Sequence, residues 1–172
     1  MSNTNTAVIE KEKLESQQDS GTQKRLKLCL ISSSGGHYEQ LQMLKKLGEK
    51  YDIFWVTEKT KYNGNANYYL HQTGLKDIFC IFKMISNCFK TLKFWRKEKP
   101  DVVITTGTMI AIPVCFWAKF RKKKVIYIET FSRIHNCTRT GKLMYKHADL
   151  FIYQWESLKE FYPDGVYGGS IY

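Results

Sequence analysis

Three short stretches of this sequence hold residues suited to binding anions or moving protons. The first is Ser32-Ser33-Ser34-Gly35-Gly36-His37. Two adjacent glycines let backbone N–H groups approach a ligand closely, and the three serines add hydroxyl donors. If a helix starts here, its positive end favours phosphate or pyrophosphate. His37 would stand at the helix start, where an imidazole can act as a base or as a hydrogen-bond donor. The plainer alternative is a tight strand-to-helix turn with an exposed histidine. The second stretch is Thr105-Thr106-Gly107-Thr108, another polar cradle, in which Thr108 could instead simply cap the next helix. The third is Glu129-Thr130-Phe131-Ser132-Arg133. Glu129 ends an apolar run, so its carboxylate should emerge where that run ends. An ion pair with Arg133 competes with a substrate role. Arg139 could meet a phosphate or stay a solvated loop residue. His135 reads as a loop residue.

These stretches need elements to position them, and the chain alternates strands with helices. Residues 25–34 start polar and become continuously apolar, the pattern of a buried parallel strand. Leu41, Leu44 and Leu47, with Met43, predict a helix ending at Gly48. Residues 51–57 predict a second strand. Residues 58–67 read as a polar loop with a turn at Asn63-Gly64, which puts Glu58 in a loop rather than at a strand end. A short edge strand is expected over 68–71 and a long helix over 76–99, stopped by Pro100. Strands over 101–105, 124–129 and 149–153 alternate with helices over 109–120 and 141–147; Pro113 falls near the start of its helix. The pattern implies a Rossmann-like α/β fold, one parallel sheet with helices on both faces. The polar turns at Ser34, Thr106 and Glu129 all follow strands, so they share the edge where such folds bind ligands.

The 172 residues fit one ordered domain over 24–172, preceded by a polar tail over 1–23 that is expected to be disordered. The formal net charge of +11 favours an anionic partner. The five cysteines are odd in number and lack CxxC spacing, which argues for reduced thiols and against a zinc site, and no metal is expected. No signal peptide and no uncharged apolar run of 18 residues is present, so membrane contact would be peripheral or made through a partner. The glycine turn lacks the lysine of a Walker A loop and the third glycine of a dinucleotide fingerprint. No cofactor is expected.

The 76–99 helix carries an apolar stripe, Ile78, Phe82, Ile85, Phe89 and Leu92. Lys76, Lys83, Lys90 and Lys97 recur every seventh residue, with Lys93 beside them. Phe79, Ile81, Phe94 and Trp95 lie off the stripe. An ordinary crossover helix explains the stripe but not the extra aromatics. The expected membrane contacts are therefore Phe79, Phe82, Lys83, Lys90, Lys93, Phe94, Trp95 and Lys97, on an anionic surface. The basic run Arg121-Lys-Lys-Lys124 precedes a strand and so lies at the far edge of the sheet, away from the glycine turns.

The order Ser33-Ser-Gly-Gly-His37, Thr106-Gly-Thr108 with Pro113, Tyr127-Ile-Glu129-Thr-Phe-Ser-Arg133, Thr140-Gly141-Lys142 and Tyr167-Gly-Gly-Ser170 resembles one family. This is the accessory, membrane-recruiting subunit of the two-chain UDP-GlcNAc transferase of asparagine-linked glycosylation, with its bacterial PssD and CpsF type relatives in exopolysaccharide and capsule synthesis. The resemblance runs from about Lys27 to Tyr172. It implies a single domain like the amino-terminal half of a MurG-like GT-B glycosyltransferase. A separate donor-binding catalytic chain would hold the UDP-sugar, and a lipid-linked diphosphate sugar would accept it at the cytoplasmic membrane face. It implies catalytic roles for His37 and Glu129. Acceptor or phosphate binding would fall to Ser33, Ser34, Gly35, Gly36, Thr106, Gly107, Thr108, Arg133 and Arg139. Unlike the eukaryotic members, this sequence shows no amino-terminal spanning segment. The competing expectation, prompted by charge, is a basic nucleic-acid-binding α/β domain, which should carry its cations as one exposed patch.

Overall fold

A computed structural model describes residues 24–61, 65–73 and 78–172. The expected tail over 1–23, the Asn63-Gly64 turn and Lys76 lie outside these. Seven strands form one fully parallel sheet in the order β3-β2-β1-β4-β5-β6-β7. They are β1 (Lys27–Ile31), β2 (Asp52–Glu58), β3 (Tyr68–Leu70), β4 (Val102–Thr105), β5 (Lys124–Ile128), β6 (Leu150–Tyr153) and β7 (Val166–Tyr167). The helices are α1 (Gly36–Gln42), α2 (Cys80–Glu98), α3 (Ala111–Phe120) and α4 (Arg139–Tyr145). A 3-10 segment, Met43–Glu49, prolongs α1.

The strand order reverses between β1 and β4, which pair directly from Leu28 with Val102 to Ile31 with Thr105. In open parallel sheets this reversal opens a crevice at the carboxyl ends of the two strands. The turns after β1 and β4 flank that crevice.

Side chains alternate across each strand, so β1 feeds two cores. Cys29 and Ile31 join Val103, Val125, Tyr127 and Phe151 on one face, covered by α2, α3 and α4. Leu28 and Leu30 join Ile104 and Ile128 on the other, covered by Leu41 and the 3-10 residues Leu44 and Leu47. The layers are unequal. On the second face the helical cover packs against β1 and β2, and Ile126, Ile152 and Ile171 lie at the margin of the core. Leu150 is 37% exposed.

Helix α2 corrects one expectation. Its buried side chains are Asn87, Thr91, Phe94 and Trp95. Phe94 and Trp95, expected at a membrane, are 2% and 6% exposed and belong to the core. Most of the expected packing stripe faces outward instead: Ile78, Phe82, Ile85 and Phe89 are 50–91% exposed and Leu92 is half-buried, while Phe79 and Ile81, off the stripe, are exposed too. Asn87 explains the rotation. Its amide donates to the His71 carbonyl at 2.9 Å and accepts from the His71 N–H at 2.7 Å, closing the backbone just past the edge strand β3. A buried amide that meets both needs of a strand end holds the helix in this orientation despite the exposed apolar face. Lys99 caps α2 in a left-handed conformation, with its N–H on the Trp95 carbonyl, and Pro100 stops the helix. Among the described residues no helix is long and apolar enough to cross a membrane.

Candidate functional site

His37, in the first turn of α1, faces the turn after β4. Its Nδ1 lies 2.9 Å from the Thr106 carbonyl. A carbonyl only accepts, so Nδ1 carries the proton and Nε2 holds a lone pair. The Thr106 hydroxyl returns a hydrogen bond to the His37 carbonyl at 2.9 Å. This reciprocal pair ties the two turns together across the strand-order reversal. Burial pushes the His37 imidazole pKa below its usual value; the Thr106 carbonyl and the charge of Glu129 oppose this, and Arg133 reinforces it. The ring is therefore a neutral base near pH 7.

Backbone geometry keeps these turns open to approach. Gly35 has φ 78°, and Gly35 and Gly36 are exposed, with no atom near where a side chain would begin. Gly107 has φ 109°, and a Cβ there would fall 2.8 Å from the Tyr127 hydroxyl and 3.8 Å from His37 Cε1. Only glycine fits between those rings. The Gly107 N–H bonds the Thr105 hydroxyl at 3.0 Å.

Thr108 does not cap α3. The capping residue is Ile110, which has no side-chain cap. Thr108 takes φ 79°, a costly conformation for a β-branched residue, and its buried hydroxyl has no hydrogen-bond partner. The Ser32 hydroxyl, in the turn after β1, is likewise buried and unpaired. Thr108→Gly should release the strain and raise unfolding stability by about 1 kcal/mol, read as a higher urea midpoint. An unchanged or lower midpoint would show that the turn stores no strain.

Glu129 departs from expectation. It is 0% exposed, so it does not reach the open edge. Its carboxylate accepts from the Thr138 hydroxyl at 3.1 and 3.2 Å, the Tyr162 hydroxyl at 2.5 Å and the Thr130 N–H at 3.0 Å. Thr138 also caps α4 by accepting from the Gly141 N–H at 2.7 Å. A carboxylate sealed by these donors positions the loop and the helix behind it rather than meeting substrate. It pairs with hydroxyls and an amide, and Arg133, exposed, instead donates to Asn136 at 3.0 Å. Arg139, the first residue of α4, is exposed beside the Thr138 cap, and His135 is exposed.

Several contributors were not anticipated. Glu58 is the last residue of β2, not a loop residue, because the strand continues to pair with β3 through Glu58 and Leu70. It is 5% exposed and accepts from the Ser34 hydroxyl at 3.4 Å. Burial pushes its carboxyl pKa upward, against backbone hydrogen bonds from Thr73 and Ser34. The chain's end also braces the site. Gln154 donates to the Glu129 carbonyl and accepts from the Ile171 N–H, both at 2.9 Å. Phe131 packs on Trp155 and Tyr172, at centroid separations of 4.7 and 5.3 Å. The only sequence signal for this brace was aromatic richness near the end of the chain.

The structure thus brings His37, Thr106, Gly107 and the loop carrying Glu129 and Arg133 to one sheet edge. Of the expected membrane residues, Phe79, Phe82, Lys83, Lys90, Lys93 and Lys97 lie at or near the surface on and beside α2, away from this edge, and Phe94 and Trp95 lie in the core.

Residues 68–171 match the family model described as "Oligosaccharide biosynthesis protein Alg14 like". The chain belongs to the Alg14-like family. The matched segment holds the Thr106 and Glu129 turns of this Alg14-like chain, while the glycine turn at 35–37 precedes it. The chain is 24% identical over 179 residues to the UDP-N-acetylglucosamine transferase subunit ALG14 of Homo sapiens, covering 85% of this chain and 83% of that protein. The subunit of the same name from Rattus norvegicus is 26% identical, with the same coverage. Among solved structures, MurG of Acinetobacter baumannii superimposes with a TM-score of 0.64 at 16% identity, over 77% of this chain and 42% of MurG. The Neisseria meningitidis UDP-GlcNAc 2-epimerase bound to UDP-GlcNAc superimposes with a TM-score of 0.65 at 13% identity, over 85% of this chain and 47% of the epimerase. These likenesses establish the fold, a Rossmann-like domain of the GT-B amino-terminal kind. The Alg14-like chain spans less than half the length of either enzyme.

Proposed function

We propose that this Alg14-like chain is the acceptor-side, membrane-recruiting subunit of a two-chain glycosyltransferase. A separate chain would bind the UDP-sugar, and the acceptor would be a lipid-linked diphosphate sugar. The observation that carries the reading is the His37–Thr106 pair at the strand-order reversal, with exposed Gly35 and Gly36 beside it. It offers a neutral base and open backbone amides, and the fold is half of the MurG architecture. In the reaction, an acceptor hydroxyl attacks the anomeric carbon of the donor sugar. The new C–O bond forms as the bond to UDP breaks, UDP leaves on the partner's side, and the hydroxyl proton passes to His37 Nε2. Exposed Arg133 and Arg139 and the amides of exposed Gly35 and Gly36 suit the acceptor diphosphate. Glu129 holds this edge in place from beneath.

The relatives' names favour GlcNAc as the sugar moved. A bacterial capsule or exopolysaccharide setting is proposed only on the resemblance to the PssD and CpsF type proteins, which share these motifs with the eukaryotic subunits. The partially covered sheet face around Ile126, Leu150 and Ile152 suits the docking of the donor-binding chain, since burying it would complete the second layer.

The test is reconstitution. The isolated chain should give no transfer from UDP-GlcNAc to a lipid-diphosphate sugar, and addition of the donor-binding partner should restore it. Full activity of the isolated chain would refute the split.

The outward apolar face of α2 is proposed to rest on the cytoplasmic membrane surface, helped by the neighbouring Lys90, Lys93 and Lys97. Four large exposed apolar side chains on α2, with Ile78 and Phe79 just before it, exceed the scatter expected of a free surface. The variant Phe82→Ser/Phe89→Ser should keep its unfolding free energy within about 0.5 kcal/mol. Its binding to mixed phosphatidylcholine and phosphatidylglycerol vesicles should fall more than about tenfold. Unchanged vesicle binding would dismiss this face as the lipid contact.

A further inference from the structure

Helices α2 and α3 lie side by side on the sheet, and the seam between them carries two cavities that share Phe120 in their linings. The first is an apolar groove of about 380 Å³, lined in part by Cys88, Phe116, Trp117 and Phe120. Phe116 and Phe120 are 41% and 74% exposed. Thr91 and Trp117 also line it; the Thr91 side chain is buried, and neither its hydroxyl nor Trp117 Nε1 has a hydrogen-bond partner.

At Phe120 the groove meets a second cavity of about 540 Å³, where Arg96, Lys99, Arg121 and Lys122 surround Trp95 and Phe120. The carboxyl ends of α2 and α3 converge here, and each is followed by a left-handed lysine, Lys99 at φ 49° and Lys122 at φ 54°. Those helix ends contribute only about half a negative charge each. The nearby carboxylate of Asp101 is taken by Lys123 at 2.8 Å. Among the described residues no ion pair engages Arg96, Lys99, Arg121 or Lys122, so the cavity keeps a net positive charge of about three.

An apolar trough running into a cationic bowl matches one kind of molecule: an anionic amphiphile. We propose that the α2–α3 seam binds a single anionic phospholipid. Its phosphodiester would lie among Arg96, Lys99, Arg121 and Lys122, and the start of one acyl chain along Phe116 and Phe120. The guanidinium groups can bind the phosphate oxygens in pairs, which a diffuse lysine surface cannot do. A free phosphate would use only the bowl, and a nucleic acid would leave the trough unfilled. This site goes beyond the membrane contact proposed above. The exposed face of α2 would meet the bilayer through apolar side chains and diffuse lysine charge, whereas this seam would select one headgroup.

The test uses the full chain and short-chain lipids below their micelle concentrations, followed by the fluorescence of Trp95 and Trp117. Dioctanoyl phosphatidylglycerol should bind saturably, about tenfold or more tighter than dioctanoyl phosphatidylcholine and than inorganic phosphate. Arg96→Gln/Arg121→Gln should erase the preference for the anionic lipid, weakening phosphatidylglycerol binding far more than phosphatidylcholine binding. Phe120→Ser should weaken both lipids and leave phosphate unaffected. All of these residues except Trp95 and Trp117 are surface positions, and an unchanged melting temperature verifies the fold. Equal affinity for the two lipids would overturn the proposal. So would phosphate binding as tight as the anionic lipid, tighter binding of duplex DNA, or a double variant that keeps its preference. Loss of vesicle binding in Phe82→Ser/Phe89→Ser bears on the α2 face alone, so the two proposals fail separately.

Discussion

His37→Ala should lower transfer by the assembled two-chain enzyme by about 10²- to 10⁴-fold, the range a positioned general base supplies. The fold should tolerate the change. His37 sits at the start of α1 in an exposed turn, and the backbone of that turn has its own hydrogen bonds, from the Tyr38 and Glu39 N–H groups to the Gly35 carbonyl. The Thr106 hydroxyl also keeps its acceptor, because that acceptor is the His37 main-chain carbonyl. A small change in melting temperature with a large loss of turnover separates a chemical role from a structural one. The pH profile gives a second reading. Burial lowers the His37 pKa, so the wild-type complex should gain activity as pH rises through a value below 6.5 and then stay level. The same shift makes His37 contribute stability that is present above its unfolded pKa and lost as pH falls toward the folded value, because the unfolded chain binds the proton more readily. The alanine variant should lose the acid limb of the rate profile. Turnover equal to wild type would make the imidazole a structural tie between two turns.

Gly141→Ala should cost about 3 kcal/mol, roughly a 10 °C drop in melting temperature for a domain of this size. Gly141 lies inside α4 with ordinary helical geometry, so conformational freedom is not what glycine supplies there. Space is. A methyl group at this position would overlap the Glu129 carboxylate, and it would approach the Tyr162 hydroxyl to 2.5 Å and the Thr138 hydroxyl to 2.7 Å. Each of those atoms takes part in the same buried network, and none is the free end of a flexible surface chain. To admit the methyl group, the carboxylate must give up hydrogen bonds while remaining out of water, which is the expensive way to lose them. The contrast with an ordinary helix is sharp, since alanine in place of glycine there normally adds stability. Urea unfolding of the isolated chain measures the effect. A midpoint at or above wild type would mean that the network can shift at no cost, and that Glu129 is held less firmly than the hydrogen bonds indicate.

The sheet was legible because its signals are local. The continuous apolar run of β1 and the strand–glycine–helix punctuation after β1 and β4 each occupy a few adjacent residues, and the short edge strand β3 follows from three. β7 was not legible. It has two residues, both exposed, and carries no pattern to read. The face that α2 presents could not be taken from its apolar stripe, because the residues it buries, Asn87, Thr91, Phe94 and Trp95, lie on another side of the helix. Asn87, a polar residue whose partner is backbone sixteen positions away, decided it. At the site, the turns carrying His37, Thr106 and Glu129 fall at one sheet edge, as strand punctuation led one to expect, since the end of a strand is a local property. The burial of Glu129 was not legible, because its hydroxyl partners lie nine and thirty-three residues along the chain. Nothing in their types links them before the fold is known. Glu58 was misplaced by a single residue of strand length, the scale on which element ends are least determined. A glycine inside the short α4 was the one available hint that something approaches that helix closely.

The central claim is that the donor pocket belongs to another polypeptide and the acceptor edge to this one. Calorimetric titration with UDP-GlcNAc tests it most directly. The isolated chain should give no saturable heat up to millimolar ligand, and the two-chain complex should bind with a Kd in the micromolar range, about −8 kcal/mol. Micromolar binding of UDP-GlcNAc by the isolated chain would contradict the account.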